Sequence, residues 1–505
     1  MVTRNQEKAR TYTKGNGTVV YVGGKRICVI ENVRYRRVIL AGQWRQIAID
    51  SKLFLNVRES ALRKATAAME NCFPNEAGGV TRFPGLVPFC TLAGAAPTYL
   101  HEWQGDLIAA SNSRVYRIDR SGTKTDVTGV PLSGEGRCVF SETEEELLLA
   151  SGGPILRLAN EQTEILSPDA PDSTHIGYVD GFVLAVETDT QRFFHSNADS
   201  YRQWDPLSVF SANGSPDNIN ALVVTPYREV ILTGQKSTEQ FERLFSGNTP
   251  FFRRWSVGQG IIAPYTVLAE DQGVWAVNSD LEFVRFTGQT SEPNSDDVGR
   301  SFAEIDDWTG AWAASAKIVG QKFIILQMPN ATNIYGSKGV TLIYEFRQKK
   351  WFSLYGWNNG EPARWPGWSY YRLWGRHFVG GDGEVLELTE STYQNDGVTQ
   401  RMLGRTAHID EWGSSRIDNV RVRLKRGIGG PSATSAKFGL RVLRDNKRYT
   451  RWHYKDFGIA GDTDMILEFG PMGFATTWQF EYSVTDDVQV DLVSMQAQVS
   501  PAEQS

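Results

Sequence analysis

From about residue 100 onward, apolar runs of five or six residues alternate with Gly, Asn and Asp turns. The clearest case is DLIAASNSRVYRIDRSGTKTDVTG, residues 106–129. A strand over 107–110 turns at 111–113 into a second over 115–118, and a Ser-Gly turn starts a third. Comparable units begin near Leu147, Phe182, Val230, Val274, Phe323 and Phe378, at spacings of 40, 35, 48, 44, 49 and 55 residues. A drifting period of about 40–50 residues, with one multi-strand unit in each, is the pattern of a β-propeller. Each unit reads as an inner strand, a middle strand and an outer strand. One such sheet cannot bury both faces, so six or seven blades around an axis are predicted. The structural alternative is a β-sandwich, whose turns recur every 8–12 residues without the longer period. Neither a Gly-His…Trp-Asp signature nor a kelch double glycine recurs. The repeat is one of pattern and not of letters.

The flanks depart from this period. Residues 1–60 read as a β-rich extension with short strands in TVVYVGG, RICVIENV and RRVILAG. Ala, Leu, Arg and Lys cluster over 58–69 and predict a brief helix. Residues 61–100 read as an extended lead-in that hugs a larger body, with Pro84, Pro88 and Pro97 at close intervals. The propeller is assigned to 101–395. Over 396–500 longer strands such as RIDNVRVRLKRG and TTWQFEYSV predict a C-terminal antiparallel sheet or sandwich. Residues 501–505 form a tail. The fold class is therefore all-β.

Composition sharpens the picture at two points. Gly (48) is plentiful and aromatics reach 11%, which favours turns and strands and excludes a collagen, a coiled coil and a disordered chain. The formal net charge is only −5, but residues 1–64 and residues 401–455 each hold 14 Lys and Arg against four acids. The chain is an acidic body with two basic segments. These are either solvated faces or docking segments for acidic partners. The four cysteines, Cys28, Cys72, Cys90 and Cys138, lie too far apart for CxxC metal or redox motifs. They read as buried free thiols. The start, MVTRNQEKARTYTK, has no apolar segment of the secretory kind, and the uncharged run at 83–100 is broken by prolines. No membrane insertion is expected.

Candidate chemistry is sparse. HExxH, P-loop and GxSxG patterns are absent, and the six histidines show no metal-ligand spacing. No enzyme, cofactor or metal site is predicted. The carboxylate doublets Asp296–Asp297, Asp306–Asp307 and Asp486–Asp487 read as turn residues, because neighbours on a strand face opposite ways and cannot flank one sugar. The segment RWPGWSYYRLWGRHF (364–378) could supply a sugar-stacking platform from Trp365, Trp368, Tyr370, Tyr371 and Trp374, with Trp351 and Trp357 close by. The competing reading is packing between blades. In RVRLKRG the basic Arg421, Arg423, Lys425 and Arg426 alternate with Val422 and Leu424. That strand has a charged face that is either solvated or grips phosphates or an acidic protein. Arg34, Arg36 and Arg37 are the matching candidates in the N-terminal segment.

Three features together carry a resemblance. They are NCFPNEAGGVTRFPGL (71–86), the central succession VILTGQKSTEQFERL, GVWAVNSDLEFVRFTGQ and LIYEFRQKKWFSL, and the change to a C-terminal sheet near residue 400. Over roughly residues 50–500 the chain resembles the tail hub, or nozzle, proteins of short-tailed bacteriophages, also called packaged-DNA stabilisation proteins. The resemblance implies a structural virion protein of the tail, made in the bacterial host cytoplasm. It implies a hexameric ring of propeller subunits that closes the portal channel, retains packaged DNA and guides its ejection. The implied partners are further copies of the chain, the head-to-tail adaptor and portal rings, tail spikes, fibres or a needle, and DNA passing without sequence-specific contacts. In such a ring an acidic channel wall would let DNA slide, and basic ends would dock on acidic neighbours. Two readings compete. One is a carbohydrate-binding or glycoside-hydrolysing propeller acting on host surface polysaccharide, which requires two facing carboxylates near the axis. The other is nucleic-acid binding through the 401–455 stripe.

Overall fold

A strand sandwiched between two other sheets must be apolar on both faces, and this rule organises the whole propeller. The computed structural model describes residues 10–14, 17–22, 25–31, 42–49 and 68–501, apart from 135, 160, 199, 213, 246–248, 271–272, 296–297, 430–435 and 459–463. Side chains are described from residue 42 on, apart from 300 and 426–429. Seven antiparallel blades follow one another around an axis. Their inner strands are Thr98–Trp103, Val139–Glu142, Ser173–Val179, Ile219–Val224, Leu268–Glu270, Trp312–Ile318 and Ser369–Leu373. Inner strands of neighbouring blades touch, and blade 7 returns to blade 1 to close the circle.

In most blades the strand that follows the inner one is the most buried. Leu147–Ala150 and Val230–Gly234 are buried at every position. Alternate side chains enter the cores on either side. Leu147 and Leu149 pack with Ile108 and Ala110 of blade 1, whereas Leu148 and Ala150 pack with Val183 and Ala185 of blade 3. Truncating such a Leu to Ala costs about 2–5 kcal/mol. All seven units found by hydrophobic pattern begin at these second strands. The apolar runs that predict inner strands are therefore second in their blades. The true inner strands were passed over because one edge faces the axis and they are only partly apolar. Val139–Glu142 has no fully buried residue.

Blade 7 is completed by a strand from earlier in the chain. Gly85–Thr91 pairs antiparallel with Glu384–Thr389. The stretch read as an extended lead-in that hugs a larger body thus contributes a strand to the propeller itself. Blade 6 also runs on beyond the propeller. Its last strand, Lys350–Leu354, pairs in parallel with Ala68–Glu70, which pairs with Met402–Arg405, and the sheet continues through Trp478–Val484 to Lys437–Arg444. A second sheet faces it, formed by Met465–Phe469, Ser415–Gly429, Val488–Pro501, Gln43–Ile47 and the hairpin of Cys72–Pro74 with Val80–Arg82. The C-terminal part is a sandwich, as expected, but it shares a sheet and a core with blade 6. Val420, Val422, Leu424, Phe480 and Phe352 belong to one cluster.

The motif at 71–86 stitches this junction. Asn71 donates from Nδ2 to the carbonyls of Tyr355 (3.1 Å) and Arg401 (2.8 Å) and accepts from the Tyr355 N–H (2.9 Å). The guanidinium of Arg82, fully buried, donates to the carbonyls of Val488 (3.0 Å), Tyr393 (3.1 Å), Asp486 and Gln400. Burial depresses its pKa to about 10, with Asp487 opposing the shift, so it stays charged at neutral pH. A Cβ at Gly85 would sit 2.2 Å from the Gln394 carbonyl, so only glycine allows this approach.

The N-terminal strands Arg10–Lys14, Gly17–Val22 and Lys25–Glu31 form a three-stranded antiparallel meander. Most of RRVILAG and of the predicted helix at 58–69 lies outside the described residues. Ala68 and Met69, at the end of that predicted helix, stand in a strand. Among the described residues one short helix occurs, Gly299–Ala303, and no helix is long and apolar enough to cross a membrane.

Candidate docking face and axial cavity

Alternation in Ser415–Gly429 puts Val420, Val422 and Leu424 inward and leaves Arg421, Arg423 and Lys425 on the outer face of the sandwich. The charged face read from the sequence exists, but it is largely neutralised. Arg421 donates to Glu468 through Nε (3.2 Å) and Nη2 (2.9 Å). Arg423 donates to both oxygens of Asp464, at 2.8 and 2.5 Å. The acids come from the adjoining segment: Glu468 stands directly opposite Arg421 in the ladder, and Asp464 immediately precedes Met465, which faces Leu424. These hydrogen bonds hold both carboxylates below the ordinary range, and Asp464 is also under the field of Lys425. Across the same face Arg421 lies 4.3 Å from the Trp44 ring. Trp44, Ile466 and Phe474 are 38%, 57% and 59% exposed. A face mixing paired charges with exposed aromatic and aliphatic groups suits a protein partner better than a phosphate backbone. The side chain of Arg426 and the whole of Arg34, Arg36 and Arg37 lie outside the described residues.

The second feature is the axis. All seven inner strands line one cavity of about 840 Å³. At the mouth formed by the starts of these strands, the Arg137 guanidinium lies 4.7 Å from the Tyr99 ring and 5.0 Å from the Trp312 ring. Its Nη1 donates to the Trp368 carbonyl (2.6 Å). Tyr265 stacks on His175 with centroids 5.0 Å apart. Burial holds the His175 pKa at about 4, so the ring is neutral. At the other mouth His101 stacks on Phe140 and its Nε2 lies 2.9 Å from Glu142. Among the described residues no Asp or Glu lines the cavity.

The remaining candidates disperse. Trp351 and Trp365 are core residues, and Tyr370 and Tyr371 line the axis. Trp368 is held by Asp382 (2.5 Å) under Arg364, and Trp374 donates to the Gly105 carbonyl (2.8 Å). Trp357 lies 5.2 Å from Arg401. They do not gather on one face as a single platform. Asp307 accepts from the Thr309 N–H (2.8 Å), a local turn role, whereas Asp306 accepts from the N–H (2.7 Å) and hydroxyl of Thr332 and Asp487 from the Tyr393 N–H (2.5 Å), both tying segments distant in sequence. Asp296 and Asp297 lie outside the described residues. Cys72, Cys90 and Cys138 are free and buried, and burial raises all three thiols. Among the described residues no cluster of three His, Cys, Asp or Glu side chains gathers as a metal would need. The sequence reading did not single out Arg137. Its only sequence cue is an arginine among glycines just ahead of a short strand.

A family model described as bacteriophage P22 Gp10, β-propeller, of the phage-stabilisation group, matches residues 63–393. No curated protein matches. Among solved structures, the extracellular domain of a putative one component system from B. thetaiotaomicron aligns at 11% identity and a TM-score of 0.39, over 61% of this chain and 40% of that one. The chain thus spans less than half the length of that neighbour. The WD40 domain of Neurospora crassa Pan2 aligns at 7% identity and 0.37, over 60% and 94%. The computationally designed Ika8 protein aligns at 10% and 0.39, over 60% and 99%.

Proposed function

The chain belongs to the bacteriophage P22 Gp10 β-propeller family of phage-stabilisation proteins, and we propose that within it the chain is one subunit of a ring, hexameric by the family resemblance, that closes the portal channel, retains packaged DNA and guides its ejection. It is a bacteriophage structural protein of the DNA-stabilising tail class. The family match over residues 63–393 carries the reading.

Two features support the finer part. The axial cavity has Arg137, Tyr99 and Trp312 across one mouth. Side chains across that mouth disfavour the propeller axis as a path for duplex DNA and favour a conduit enclosed by several copies. A closed ring does this through one patch meeting a different patch on the next copy. The second feature is the sandwich face. Arg421, Arg423 and Lys425, with Arg426 next along the strand, would dock on a neighbouring ring or subunit. Trp44 and Ile466 would supply buried area, and the arginines would re-pair with acids of the partner. The carbohydrate reading requires two facing carboxylates at the axis; among the described residues the cavity lining includes no Asp or Glu, and Glu142 at one mouth is engaged by His101.

Quantitative mass spectrometry of purified particles tests the proposal. About six copies per particle fit a single closed ring. Absence from particles would overturn it.

A further inference from the structure

Arg137 is a charge without a counter-ion. Among the described residues no carboxylate pairs with it, and its one hydrogen bond from the guanidinium goes to the Trp368 carbonyl at 2.6 Å. Arg82 makes a useful contrast, because it commits both Nη atoms to four carbonyls. Arg401 pairs with Glu70 and Arg405 with Glu481. Arg137 is one of the residues that line the axial cavity. Burial lowers its pKa to about 10, which still leaves it charged at neutral pH. An uncompensated charge in such a place is costly, and a neutral donor would hold the Trp368 carbonyl as well.

The surroundings state what would balance it. The guanidinium lies against the rings of Tyr99 and Trp312, which fix its plane. Tyr265 and the neutral His175 stand at the same mouth, and Tyr370 and Tyr371 line the wall. A cavity of about 840 Å³ falls in the size range of small-molecule sites. We propose that the propeller axis is a binding site for a small organic oxyanion, a phosphate monoester or carboxylate on a ring-shaped body, anchored by the Arg137 guanidinium fork against aromatic walls. A nucleotide and an acidic sugar share this chemistry.

Isothermal titration of the purified full-length chain at pH 7 with dAMP, glucuronate and inorganic phosphate separates the sources. Saturable binding of dAMP or glucuronate is expected, with inorganic phosphate weaker because it leaves the aromatic walls uncovered. Arg137→Met should weaken binding roughly tenfold to a hundredfold with an unchanged circular dichroism spectrum. Arg137→Lys keeps the charge but loses the fork, and should fall between the two. If Arg137→Met does not fold, the lysine variant and the wild-type titration still decide the matter. No binding of any probe up to about 10 mM, or binding indifferent to both substitutions, would overturn the proposal and leave Arg137 as a strut for Trp368.

Discussion

Arginine does different work at the junction of the two lobes and on the outer face of the sandwich. At the junction Arg82 is fully buried and donates to four main-chain carbonyls contributed by residues 393, 400, 486 and 488. Close by, Arg405 and Arg441 converge on Glu481, also fully buried, at 2.8 and 2.6 Å. On the outer face Arg421 and Arg423 hold exposed carboxylates. The charge counts alike in all five. At the junction its removal strands buried polar groups that have no access to water. On the face its removal leaves solvated acids. The first set therefore specifies the fold, and the second is free to specify a partner.

Substitutions can break this contrast in descending order of effect. Arg82→Met should cost about 3–5 kcal/mol in urea denaturation, because four carbonyls lose their donors inside the core. Glu481→Gln should cost about 3 kcal/mol by the same measurement, since two guanidinium groups lose their shared counter-charge. His175 gives a pH-dependent term. Its folded pKa of about 4 lies below the ordinary 6.5 because of burial, so the neutral ring's contribution is complete above about pH 6.5 and is lost as pH falls towards 4. Between pH 7 and pH 4 the wild type should lose about 3 kcal/mol more than His175→Phe, read from denaturation midpoints. Arg421→Ala combined with Arg423→Ala should leave the midpoint unchanged, as exposed pairs contribute little. The same double variant should be depleted from assembled particles. A large loss of stability there, with normal incorporation, would reverse the comparison.

Hydrophobic pattern revealed the propeller because each second strand is buried on both faces. Phe182–Glu187 opens on five consecutive apolar residues, and Val230–Gly234 is buried throughout. The inner strands were hidden because the axis demands mixed character, as in Leu268–Glu270, which is only half-buried. The alternation around Val422 was legible and so was its charged face. The neutralising partners, Asp464 and Glu468, were not, because they lie some forty residues away and pairing depends on register. Residues 71–86 carried the family resemblance without revealing their work. Asn71 and Arg82 act on carbonyls more than 280 residues distant, which no local pattern encodes. Arg137 was invisible for a related reason: a missing partner can be noticed only in three dimensions.

The late pairing of Gly85–Thr91 has a consequence in time. On the ribosome this strand emerges early, yet its partner Glu384–Thr389 follows roughly 300 residues later. At about 5–20 residues per second the strand waits on the order of 15–60 s with an open edge. Until then each new blade can stack on its predecessor, but the circle stays unlatched. Cells making many copies at once would hold a crowd of open rings whose free edges match those of their neighbours. Exchange of this strand between nascent chains is then the characteristic error of synthesis, and the tempo of translation through the last blade sets how often it occurs.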